Sequence, residues 1–65
     1  SSSSSSSGDL EAKYAASMVS SNDKNNNNVL EADEWPSTKL VDLNAADANG
    51  DGKLTVEEIT AQLKK

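Results

Sequence analysis

Two stretches of this chain of 65 residues place oxygen-bearing side chains at fixed intervals. One reads DANGDGKLTVEE, from Asp47 to Glu58, and fits the pattern D-x-[DN]-x-[DN]-G-x5-E at every specified position. Average residue usage produces such a match on the order of a few times per million start positions. The other reads DKNNNNVLEADE, from Asp23 to Glu34, and departs only in carrying Asn28 where the pattern has Gly. Both have Leu at the eighth position, Leu30 and Leu54, and both are followed by a large apolar residue, Trp35 and Ile59. The stretches start 24 residues apart, so they form an internal repeat.

The chemistry that suits this spacing is capture of a hard divalent cation. Calcium takes about six to eight oxygens at roughly 2.3–2.6 Å. A tightly coiled loop turns alternate side chains inward, so Asp47, Asn49 and Asp51 reach one ion. Lys53 offers its backbone carbonyl, Thr55 acts directly or through a water, and Glu58 chelates with both carboxylate oxygens. In the earlier stretch the same roles fall to Asp23, Asn25, Asn27, the carbonyl of Val29, Glu31 and Glu34. Gly52 permits a positive φ at the sharp turn. Asn28 is the best non-glycine choice for that conformation. Each loop offers three carboxylates as ligands, Asp23, Glu31 and Glu34 in one and Asp47, Asp51 and Glu58 in the other, so two calcium ions would cancel most of the formal charge of −5. Without ions those carboxylates repel, which couples folding to binding.

The two loops resemble the EF-hand calcium-binding family, over about residues 10–65. The resemblance implies an all-α fold: a compact EF-hand pair, helix–loop–helix twice, with a short two-stranded bridge that sets Leu30 against Leu54. The short link from Trp35 to Ala46 is similar to that of lanmodulin-type and some bacterial secreted EF-hands. Lanmodulin-type loops favour Pro at the second position and Asp at the ninth. Here Lys24 and Ala48, then Glu31 and Thr55, occupy those places, so lanthanide selectivity is not expected. Dockerins also pair two such loops, but their twelfth ligand is typically Asp and their outgoing helices are longer.

Around the loops, periodicity supplies the elements. Asp9 is a plausible N-cap, and Leu10, Tyr14 and Met18, flanked by Ala15 and Val19, make an apolar stripe ending near Ser20. The polar run 21–28 is a loop. Glu31 to Glu34 opens a helix that Pro36 limits to about one turn. A further helix starts at Ser37 or Thr38 and carries Leu40, Val41, Leu43 and Ala46. A last short helix runs from Glu57 to Leu63, with Lys64 and Lys65 suiting its C-terminus. Trp35, Leu43, Ile59 and Leu63 are expected in the core; Tyr14 and Met18 fit either core or surface.

Composition excludes other chemistry. No Cys is present, which removes disulfides, thiolate metal sites and cysteine catalysis; no His is present either. With no Arg and every well-placed carboxylate assigned to an ion, no enzymatic activity is expected. The acidic balance disfavours nucleic acid. No apolar run approaches the ~20 residues of a membrane span. A domain this small commonly needs a staple, and a metal is the staple this composition allows. Residues 1–8 read as a Ser-rich tail or linker, and residues 9–65 as one paired calcium-binding domain. A start at Ser rather than Met points to a processed chain or a fragment.

The expected role is therefore a structural calcium-binding module in an extracellular or cell-surface protein or assembly, where millimolar calcium saturates even weak sites of about 10⁻⁴ M. Two alternatives stand beside it. One is a calcium-responsive module that binds a partner or parent protein. The other is a filament or shell protomer whose Ser1–Ser7 tract docks on another copy. One Met and no Phe speak against a sensor groove.

Overall fold

In the computed structural model the described residues are 10–65; the Ser tract, Gly8 and the expected cap Asp9 lie outside them. The first helix, α1, spans Leu10–Asn22. It outruns the expected end near Ser20 because its last turn is tied off twice. The Asn22 side chain donates to the Met18 carbonyl at 2.8 Å, and the Asp23 N–H donates to the Val19 carbonyl at 2.6 Å. The buried face is Ala15, Met18 and Val19, whereas Leu10 is 74% and Tyr14 is 41% exposed. The stripe is thus turned away from the i, i+4, i+8 line and toward Ala15, where α1 packs on the last helix.

Strand β1, Val29–Glu31, pairs antiparallel with β2, Lys53–Thr55, and sets Leu30 opposite Leu54 as expected. Both leucines are fully buried. With Ile59 and the α1 face they form the centre of the core, which Val41 and Ala46 complete. Trp35, Leu43, Val56 and Leu63 pack against it while only partly buried.

The link between the loops departs from the expected helices. Glu31 belongs to β1, and residues 32–34 form a turn closed by the Glu34 N–H donating to the Glu31 carbonyl at 2.7 Å. The helix expected from Ser37 or Thr38 is reduced to α2, Leu43–Ala46. Pro36 removes a donor and disfavours helix in the residue before it. Thr38 Oγ1 then accepts the Leu40 N–H at 3.1 Å, a local bond that competes with a helical turn. Asp42 is extended, with φ −81° and ψ 100°, and only after it does the chain coil. The last helix, α3, runs Val56–Leu63, with Lys64 at its C-cap. The fold is mostly helical with one short antiparallel ribbon. Helices flank the second loop on both sides, whereas the first has α1 before it and a single turn after it.

Candidate metal centre

In the first loop the chain coils around the carboxylate of its first residue. Asp23 Oδ1 accepts the N–H groups of Asn25 at 3.0 Å and Asn26 at 2.8 Å; Oδ2 accepts that of Asn28 at 2.8 Å. The coil needs two left-handed residues, and Asn26 (φ 62°) and Asn28 (φ 69°) supply them. Asn27 Oδ1 accepts the Val29 N–H at 3.2 Å, where the loop enters β1. Glu34 folds back over the loop: Oε1 accepts the Glu31 N–H at 3.3 Å and Oε2 the Lys24 N–H at 3.1 Å.

The second loop repeats the arrangement. Asp47 Oδ1 accepts the Gly50 N–H at 2.9 Å and Oδ2 the Gly52 N–H at 2.8 Å. Gly50 (φ 76°) and Gly52 (φ 86°) hold the two left-handed places. Asp51 Oδ1 accepts the Lys53 N–H at 3.1 Å, as Asn27 does for Val29. Glu58 Oε1 accepts the Thr55 N–H at 3.3 Å, and Asn49 Nδ2 approaches Oε2 at 3.5 Å. Sequence reasoning missed a second duty of this glutamate. Thr55 Oγ1 accepts the Glu58 N–H at 3.2 Å, which completes a capping box at the start of α3. The signal was the T-x-x-E spacing of Thr55 and Glu58.

Every sequence-derived ligand lies on its expected loop or at its edge. Val29 and Lys53 are strand residues, across the ribbon from Thr55 and Glu31 respectively, so the ribbon joins the two loops back to back. No polar or charged residue among those described is buried, so the loops face water. Also among the described residues, no three acidic side chains gather closely enough to hold a metal as a set. The carboxylates at positions one and twelve of each loop are instead turned onto backbone N–H groups. The Asp47 carboxyl shows the electrostatics. Desolvation pushes its pKa up, but the N–H groups of Gly52 and Gly50, with Asp51, outweigh that and hold it below its ordinary value.

The donors nonetheless fit a hard cation. They are oxygen only, and a carboxylate oxygen that accepts one N–H keeps a lone pair for an ion. Residues 40–64, from the approach to α2 through α3, match the model of the EF hand. Over this stretch the chain is similar to an EF hand. The EF-hand match supports calcium as ligand, in a family typically without enzymatic activity. It covers the second loop and not the first, and it leaves the number of ions open. No curated protein matches the chain, and no solved structure does.

Proposed function

We propose that the chain is a structural calcium module with two sites, Asp23–Glu34 and Asp47–Glu58, each ion holding one loop against the shared ribbon. One observation carries the Asp23–Glu34 site, which lies outside the matched segment: Asp23 receives the N–H groups of Asn26 and Asn28 as Asp47 receives those of Gly50 and Gly52. In each site the first, third, fifth and twelfth side chains, the seventh carbonyl and the ninth residue are the ligands. The module serves an extracellular or surface protein or assembly, in which bound calcium supplements the small core of so short a chain.

A role in rigidity is favoured over a sensor role by the place of the single methionine. Met18 is in the core, and the open groove between α1 and α3 is lined by Leu10, Tyr14 and Leu63 instead. Native mass spectrometry with and without chelator tests the reading. Two calcium ions per chain are expected, lost together with compactness on chelation. A single ion would remove the first loop from the proposal. Calcium-dependent binding of an apolar dye would favour the interaction module, and self-association the filament protomer.

A further inference from the structure

The two loops differ in a way that metal chemistry does not use. At both left-handed places of the first loop stands Asn; at both places of the second stands Gly. The second loop therefore contains Asn49–Gly50, an amide side chain followed by the one residue whose nitrogen no Cβ shields. Asn49 and Gly50 are exposed, and a Cβ built on Gly50 meets nothing within 4 Å, so the space beside its Cα is open.

We infer that Asn49 is a site of spontaneous deamidation that ages the second loop, a reading that rests on the calcium role of that loop. Base removes the Gly50 N–H proton, and the nitrogen attacks Asn49 Cγ. The new N–C bond closes a succinimide, the bond from Cγ to the side-chain nitrogen breaks, and ammonia leaves. Water then opens either carbonyl of the ring, giving an aspartyl or an isoaspartyl residue. The isoaspartyl product inserts a methylene into the backbone. That shifts the alternation which turns Asn49 and Asp51 to the same side as Asp47, and it ends binding at this loop. The folded loop resists the reaction, because the Gly50 N–H is held by Asp47 Oδ1 at 2.9 Å and that bond must open before the proton leaves. An ion that fixes Asp47 and Asn49 strengthens this restraint. In the first loop Asn25, Asn26 and Asn27 are each followed by Asn, and Asn28 by Val, so a side chain flanks every attacking nitrogen.

The test is peptide mapping by mass spectrometry after incubating the full chain in mildly alkaline buffer, in calcium and in chelator. In chelator, Asn49 should convert about tenfold faster than any of Asn25 to Asn28, a barrier difference of about 1.4 kcal/mol. Calcium should slow conversion at Asn49. Gly50→Asn installs the residue that the first loop carries at the same left-handed place, and should bring Asn49 down to the first loop's rate. Conversion of Asn49 no faster than that of Asn25 to Asn28 in chelator overturns the inference, whatever calcium does. Fast conversion that calcium leaves unchanged supports the reactive site and contradicts the calcium reading of the loop, which calorimetry on unaged protein checks separately.

Discussion

The Glu58 carboxylate accepts the Thr55 N–H, while the Glu58 N–H donates to the Thr55 hydroxyl. Substitution separates this capping duty from the proposed ligand duty. Glu58→Gln keeps an acceptor for the cap but loses the charge and one carboxylate oxygen. Melting of the chelated protein should then be unchanged, while calorimetry should show the second loop's calcium binding lost. Thr55→Ala should do the reverse to the cap, lowering stability of the chelated protein by about 1 kcal/mol. In a domain of this size that is a melting shift of roughly 4–8 °C. Gly52 poses a different question. A Cβ there meets nothing within 4 Å, so the penalty for Gly52→Ala is backbone strain at φ 86° alone. Chemical denaturation should give about 1–2 kcal/mol. Gly52→Asn should lose less, since Asn28 sits at φ 69° in the sister loop.

At the scale of elements, the loops and the helices differed in how much the sequence disclosed. The loops were legible because turn chemistry is a local property: the positive φ at Asn28 and Gly52 and the Leu30–Leu54 pairing appear as expected. The second left-handed place, at Asn26 and Gly50, went unread, though an Asn and a Gly at matching positions of a repeat were its signal. The link departs from the helix that the apolar spacing of Leu40, Val41 and Leu43 predicts, because Pro36 and the local bond of Thr38 to the Leu40 N–H keep it uncoiled as far as Asp42. Leu40 is 72% exposed and only Val41 of the three is buried. The rotation of α1 toward Ala15 was hidden for another reason: a small residue adds little to an apolar stripe, yet it marks where two helices pack. Residue 31 decides whether a helix follows a loop. Thr55 caps α3; at the equivalent position Glu31 has no hydroxyl, and Pro36 closes the same window. The double variant Glu31→Thr, Pro36→Ala should therefore extend a helix from residue 32 onward. A gain in far-ultraviolet helical signal in calcium is the expected result; an unchanged spectrum would mean that tertiary packing, not capping, fixes the link.

For the whole molecule, the question is how so small a core holds together, and Trp35 reports the answer. Its indole N–H donates to the Leu30 carbonyl at 3.0 Å, and its ring lies half-buried against the core. It directly follows Glu34, whose carboxylate folds over the first loop. An ion bound with a Kd of ~10⁻⁶ M at ~10⁻³ M free calcium adds about 4 kcal/mol, which is comparable to the entire stability of a chain this size. Removing calcium should accordingly lower the melting temperature strongly and shift Trp35 emission to longer wavelength. Magnesium should restore the signal poorly, since it demands near-octahedral geometry and sheds water reluctantly. The two loops should contribute unequally, with the glycine-bearing second loop the tighter. Glu34→Gln isolates its contribution: calorimetry should show one remaining site, and emission should stay close to that of the chelated protein. The ribbon supplies the competing route to the indole. Leu30 lies opposite Leu54, so order in the second loop can reach the carbonyl that Trp35 holds. A full wild-type emission response in Glu34→Gln would mean that this route dominates and that Asp47 to Glu58 alone binds the ion. An emission response lost while one ion still binds would place Trp35 under the control of Glu34 and make the first loop a site in its own right.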